Sequence, residues 1–72
     1  MTTVDIIKSK VEDQINDCGM GFSDVFNGKR VSTYTHFHLN IITVSIKGYP
    51  CAEFNRFDQK GISEYIINKT NY

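Results

Sequence analysis

Two histidines one residue apart, His36 and His38, are the side chains of this sequence best suited to chemistry near neutral pH. Imidazole binds zinc and other transition metals, and it exchanges protons in acid–base catalysis. A thiol from Cys18 or Cys51 would be a natural additional ligand. A closed zinc site needs four convergent ligands, whereas the sequence places Cys18 on the core side of a helix and the histidines on an outward strand face. We therefore expect no metal ion and no cofactor.

The acid–base reading pairs His36 with a carboxylate, Asp24 or Glu53, as in a small nuclease. The chain has no nucleophile elbow, no glycine-rich phosphate loop and no pair of carboxylates at helical spacing facing a cleft. A domain of 72 residues buries only about 60% of its unfolded surface, which leaves little room for a catalytic pocket. We expect a protein that is not an enzyme. A small histidine-dependent nuclease or a metal-binding protein is the second alternative.

The histidines belong to the most regular stretch of the sequence. Apolar and polar residues alternate over residues 31–37 and again over residues 41–47, which is the period of a half-buried strand. The two apolar sets share one face when Phe37 pairs with Ile42 across a two-residue turn. This register predicts a core face of Phe37, Ile42, Val44, Ile46 and Phe54. It predicts an open face of Tyr34, His36, His38, Thr43, Ser45 and Lys47.

Further signals lie on both sides of this hairpin. Thr2 and Asp5 form an approximate capping box before an amphipathic helix whose apolar stripe runs from Val4 to Cys18. The dipeptide Asn27-Gly28 predicts a tight hairpin turn that pairs Phe26 with Lys29. After residue 47, a three-residue turn at Gly48, Tyr49 and Pro50 would pair Val44 with Phe54.

The second helix is predicted to begin after the N-cap residue Asp58. Its inward stripe contains Ile62, Tyr65 and Ile66, and the tail from Thr70 is expected to fray. The fold class is therefore a single small α+β domain in the order α-β-β-β-β-α, with both helices on the core face. The predicted helices span about 3–18 and 59–69, and the predicted strands span about 21–26, 29–38, 41–47 and 51–56.

The overall composition narrows the classes of partner. The eight basic and eight acidic residues cancel, so the chain has no global field that would gather phosphates. No apolar run approaches the roughly 20 residues of a membrane span, and the N-terminus does not read as a secretory signal. We expect a cytoplasmic protein that does not bind membranes. Its two cysteines are expected to stay reduced in that compartment.

A binding protein fits these limits better than an enzyme does. We expect an inhibitor or adaptor, such as one encoded by a phage or another mobile element, that docks onto a host protein or protein complex through the open face. Aromatic residues on that face favour this role, since they are enriched at interface centres. The predicted contact residues are Tyr34, His36, His38, Thr43, Lys47 and Tyr49. The acidic outer face of the first helix, with Glu12, Asp13 and Asp17, is the predicted secondary surface. The sequence does not determine the oligomeric state.

RNA is the alternative partner. Tyr34 and His36 are suited to stacking on bases, and basic residues nearby are suited to contacting phosphates; these are Lys29, Arg30 and Lys47. The order of elements resembles the helix-strand-strand-strand-helix plan of the double-stranded RNA-binding domain, which implies an RNA-binding module. That family carries a lysine-rich start of its second helix and a glycine-proline-x-histidine loop. Here residues 58–61 read Asp-Gln-Lys-Gly and that loop pattern is absent.

Overall fold

The computed structural model describes residues 2–17 and 19–72, which form two helices and one four-stranded antiparallel sheet. In chain order the elements are α1 (Thr3–Asn16), β1 (Ser23–Phe26), β2 (Lys29–His36), β3 (Ile41–Ile46), β4 (Ala52–Asn55) and α2 (Gln59–Lys69). Strands that are consecutive in sequence are neighbours in the sheet. The predicted α+β class and the order α-β-β-β-β-α are confirmed. Neither helix within these residues is long and apolar enough to cross a membrane.

Both helices cover the same face of the sheet, and the core lies between them and that face. The buried apolar residues are Ile7, Val11, Phe26, Val31, Ile42, Val44, Ile46, Ile62 and Ile66. Phe54 of β4 is partly buried, and its ring meets that of Tyr65 on α2 edge to face, with centroids 5.3 Å apart. Neither α1 nor α2 lies against the other face of the sheet in the described residues, as the alternation in β2 and β3 predicted.

Helix α1 begins at the predicted capping box, since the Thr2 side chain accepts from the Asp5 N–H and the Asp5 carboxylate accepts from the Thr2 N–H. Its inward stripe contains one residue that the apolar pattern missed. Gln14 is buried, and its amide donates to the Thr35 hydroxyl (2.8 Å) and accepts from the Thr33 hydroxyl (2.6 Å). The predicted end of the stripe, Cys18, lies outside the described residues.

The first hairpin has the predicted register. Asn27 (φ 53°) and Gly28 (φ 77°) both adopt positive φ, as a type I′ turn requires, and Phe26 pairs with Lys29. Asp24 lies opposite Val31. Its carboxylate forms an ion pair with Lys10 of α1 at 3.5 Å. A hydrogen bond from the next backbone N–H and the Lys10 ammonium together lower the pKa of Asp24.

The predicted pairing of Phe37 with Ile42 is wrong by two residues, because Ile42 pairs with Thr35. β2 ends at His36, and a four-residue turn over 37–40 replaces the two-residue turn, with Asn40 at φ 54°. A shift of two residues keeps every side chain on its own face, so the alternation did not distinguish the two registers. Phe37 therefore leaves the predicted core and lies half-buried in the turn.

The same two-residue shift occurs between β3 and β4. Phe54 pairs with Ile42, and Ala52 pairs with Val44, so the predicted pairing of Val44 with Phe54 is wrong. The connection spans residues 47–51 instead of a three-residue turn. Glu53 nevertheless stays exposed on the open side, opposite Thr43, because the parity of the strand is unchanged.

The end of α2 does not fray as predicted. Thr70 is fully buried, and its hydroxyl donates to the Ile66 carbonyl at 2.6 Å. Two residues of the first hairpin bind the last carbonyls: the Asn27 amide donates to the Thr70 carbonyl (2.9 Å) and the Lys29 ammonium donates to the Lys69 carbonyl (3.0 Å). A cation at a helix C-terminus is favourable, so the hairpin and α2 stabilise each other.

Candidate functional site

The open face is the surface of the sheet opposite the helices, and four rows of side chains cross it. From one end to the other, the paired positions are Val25, Arg30 and Lys47; Ser23, Ser32 and Ser45; Tyr34, Thr43 and Glu53; and His36, Ile41 and Asn55. The face thus has a basic end, a row of hydroxyls, and an aromatic end. Four of the predicted contact residues lie on it or at its margin: Tyr34, His36, Thr43 and Lys47.

Tyr34, His36 and Thr43 form one contiguous cluster. The rings of Tyr34 and His36 are 4.7 Å apart between centroids and tilted by 57°, and His36 Nε2 lies 3.0 Å from the Thr43 hydroxyl. Tyr34 remains 49% exposed. The backbone of Gly21 lies beside β2 at this point, and glycine has no side chain that could cover the Tyr34 ring. A β-carbon at Gly21 would collide with the Thr33 carbonyl, so the bare backbone there is a steric requirement.

The basic end includes Arg30, which the predicted set of contact residues omitted. Its guanidinium donates to the Ser23 hydroxyl at 3.2 Å, and Ser23 and Ser32 are themselves 3.2 Å apart. Lys47 is exposed, and its backbone N–H bonds to the Arg30 carbonyl. A shallow hollow lies here, lined by Val25, Gly28, Arg30, Ser32, Ser45 and Lys47. The sequence named Arg30 as a phosphate contact in the RNA alternative, and the alternation of β2 gives it the same parity as Tyr34.

His38 and Tyr49 lie elsewhere. His38 is exposed in the β2–β3 turn and lines a second hollow with His36, Tyr34 and several apolar residues. Tyr49 lies in the β3–β4 connection, beneath the ammonium groups of Lys29 (5.6 Å) and Lys69 (5.1 Å). Tyr49 is therefore part of the contacts that hold the end of α2, at a distance from the aromatic end of the open face.

The predicted secondary surface lies on the helical side of the molecule. Glu12, Asp13 and Asp17 are all exposed on or just after α1. Glu12 accepts a hydrogen bond from the Gln59 amide of α2 at 3.3 Å, which links the two helices. Asp13 and Asp17 line a shallow hollow near Phe22. This acidic surface is separate from the open face.

The candidate acid–base pairs do not form in the structure. Asp24 is on the core-face side of β1 and contacts Lys10, whereas His36 is on the open face and contacts Thr43. Glu53 is two strands away from His36 and one row along. Within residues 2–17 and 19–72, no three His, Cys, Asp or Glu side chains converge as a metal-binding set. Cys51 is exposed, and Cys18 lies outside the described residues.

No protein-family model matches the chain, and neither a curated protein nor a solved structure shows significant similarity to it.

Proposed function

We propose that this chain is a small, non-enzymatic protein-binding domain that docks onto a larger protein through its open face. The observation that carries the proposal is the cluster of Tyr34, His36 and Thr43, held by a ring contact and a hydrogen bond on a sheet surface that neither α1 nor α2 covers. Tyrosine at such a site provides a large apolar area with a polar tip and little conformational entropy to lose. Occupying the partner's surface would make the chain an inhibitor or an adaptor, as in phages and other mobile elements.

A protein partner is favoured over a polyanion by the charge distribution of the face. Arg30 and Lys47 lie together at the basic end, whereas the aromatic end has no arginine or lysine in its two rows and includes Glu53. Binding along a nucleic-acid backbone needs positive charge along the whole track. A partner that places apolar and hydrogen-bonding groups over Tyr34 and His36 suits the aromatic end better.

The test is the binding of variants to a partner captured by affinity pull-down and identified by mass spectrometry. Tyr34→Ala combined with His36→Ala should weaken the interaction by more than about 2 kcal/mol, or roughly 30-fold, if these residues are hot spots. The matched control is a double alanine substitution of Glu64 and Asn68, which are exposed on α2. Calorimetry gives the affinities, and circular dichroism checks that the fold is retained. Parent-like binding by the Tyr34/His36 variant would place the interface elsewhere, with the acidic α1 surface the next to test.

RNA remains a second candidate because of the basic end. Arg30 and Lys47 lie beside the row of serine hydroxyls, and Tyr34 lies in the row on the other side of those serines. This arrangement can contact one phosphate while a base stacks on the Tyr34 ring. A gel shift with single-stranded and double-stranded RNA at several salt concentrations tests this function. Affinity that falls steeply with salt, and falls further in Arg30→Gln, would favour RNA over protein.

A further inference from the structure

An arginine at the end of the sheet lies over two aromatic rings. The Arg56 guanidinium is 4.9 Å from the centroid of Phe37 and 4.6 Å from that of Phe57. The backbone N–H of Arg56 donates to the Asn40 carbonyl at 2.9 Å, which fixes this position against the β2–β3 turn. Phe37, displaced from the core by the two-residue shift in register, is therefore used to hold an arginine.

The guanidinium has hydrogen-bonding capacity to spare. Among the described residues, no carboxylate lies within ion-pair distance of Arg56 and no side-chain hydrogen bond engages it. The nearest carboxylate in sequence, that of Asp58, accepts from the Gly61 N–H at the start of α2. A guanidinium presents five N–H donors in a planar fork and has no acceptor of its own. Its edges are therefore available to an external acceptor.

Phe37 connects this arginine to further exposed apolar side chains. Phe57 is 61% exposed and Leu39 is 66% exposed, and these are the two highest values among the large hydrophobic residues of the described chain. Met20, Phe37 and Leu39 line one hollow beside Tyr34. Together Met20, Phe37, Leu39, Arg56 and Phe57 form what we call the turn-end patch. Contiguous exposed apolar surface on a small domain marks an interaction site, and arginine with aromatic residues is the usual composition of a binding hot spot.

We propose that the turn-end patch binds a carboxylate side chain of the protein partner, flanked by apolar residues. This inference rests on the proposed function, because it assumes a protein partner and specifies the chemistry of its contact segment. Carboxylate is the planar acceptor that matches the guanidinium fork in two parallel hydrogen bonds. The two rings already hold and partly desolvate the cation, so less freedom is lost when the pair forms.

The composition of the patch favours a peptide over a nucleic acid. Arg56 is the one lysine or arginine within the patch, so there is no second cation to follow successive phosphates. Leu39 and Met20 offer flexible apolar surface, which suits aliphatic side chains better than flat bases. An acidic residue between apolar residues therefore complements the patch in charge and in polarity.

The direct test uses a model peptide and the unmodified protein. Acetyl-leucyl-glutamyl-leucinamide is titrated while NMR follows the Arg56 Nε–H signal and the signals of Leu39 and Phe57. We expect saturable shifts with a dissociation constant in the millimolar range, as befits a fragment of an interface. The glutaminyl counterpart, which is equal in shape but neutral, should bind at least fivefold more weakly. Equal binding of the two peptides, or the absence of saturable shifts at these residues, overturns the proposal.

Variants of Arg56 test whether the planar guanidinium causes the preference for the glutamyl peptide. Arg56→Lys retains the charge but loses the planar donors, so the preference for the glutamyl peptide should shrink, and Arg56→Gln should abolish it. Lys8→Gln, which neutralises an exposed cation on α1 outside both proposed binding surfaces, is the matched control and should leave the titration unchanged. A uridylate oligonucleotide is the third probe. If it shifts the same signals at lower concentration than the peptide does, the patch accepts nucleic acid and the proposal is overturned.

Binding of the variants to the captured partner distinguishes a failure of the turn-end patch proposal from a failure of the proposed function. If Tyr34→Ala with His36→Ala weakens the complex and Arg56→Gln leaves it unchanged, the open face is the interface and the turn-end patch proposal is wrong. If Arg56→Gln weakens the complex at least fivefold and the Tyr34/His36 variant binds as the parent does, the patch proposal stands and the assignment of the open face fails.

Discussion

We predict that the buried amide of Gln14 stabilises the edge of β2 and the neighbouring segment that contributes Met20 to the turn-end patch. Gln14 joins α1 to β2 through the hydroxyls of Thr33 and Thr35. The Thr33 hydroxyl also accepts from the Phe22 N–H, and the Thr35 hydroxyl donates to the Gly19 carbonyl. One amide therefore organises the segment that carries Met20 alongside β2. The perturbation is Gln14→Leu, which keeps the size of the side chain and removes both hydrogen bonds.

The expected loss of stability follows from those bonds. Each neutral hydrogen bond contributes about 0.5 to 1.5 kcal/mol net, and a buried hydroxyl left without its acceptor costs about 1 to 3 kcal/mol. Burial of the leucine methyl groups offsets part of this cost. We expect Gln14→Leu to lower the free energy of unfolding by about 1 to 3 kcal/mol. For a domain of this size, each kcal/mol lowers Tm by roughly 4 to 8 °C.

The assay is urea denaturation followed by far-UV circular dichroism, arranged as a double-mutant cycle. Thr33→Val removes the other partner of the shortest bond. In the double variant neither Gln14 Oε1 nor the Thr33 hydroxyl is left without its partner, and the Phe22 N–H loses its acceptor in both Thr33→Val variants, so that cost cancels in the cycle. The double variant should therefore be more stable than the sum of the single effects by about 0.5 to 2 kcal/mol. The matched control is Asn16→Leu on the exposed side of α1, which should change stability by less than about 0.5 kcal/mol. A Gln14→Leu variant as stable as this control, or strictly additive effects in the cycle, would refute the reasoning.

Three further predictions concern stability. Val44→Ala should cost about 1 to 3 kcal/mol in chemical denaturation, because Val44 is fully buried, and a larger loss from Tyr34→Ala would mean that the two faces are assigned the wrong way round. Gly61→Ala would bring the new β-carbon against the capping Asp58 carboxylate, which must turn away and give up its bond to the residue 61 N–H; the loss of this cap, about 1 kcal/mol, nearly cancels the helix gain of about 0.5 to 1 kcal/mol from alanine, so Tm should change little, and a large shift in either direction would contradict this. The folded-state pKa of Asp24 is lowered, so its carboxylate contributes stability above the unfolded pKa of about 3.9 and loses it as pH falls further. The difference in Tm between the parent and Asp24→Asn should therefore narrow at acidic pH, and a difference that stays constant would show that the carboxylate has no such role.

The strongest local signals led to correct elements. Three of these signals act within a few residues, so the local sequence is enough to predict their geometry: the capping box of Thr2 and Asp5, the Asn27-Gly28 turn and the N-cap Asp58. The period of two in β2 and β3 placed Tyr34 and Thr43 on the open face. That period survives any shift of register by an even number of residues.

The tertiary structure decided what depends on contacts between distant parts of the chain. The pattern of apolar residues did not predict that Gln14 is buried. A buried amide is stable only where hydrogen-bonding partners such as Thr33 and Thr35 are within reach, and these partners lie on a different element. Phe37 moved from the predicted core to the turn, where Arg56 meets it. These positions follow from turn lengths and pairing offsets, which two-residue alternation does not encode. The sequence by itself determined which face of the sheet is open, and only the folded chain decided which side chains meet at the ends of that face.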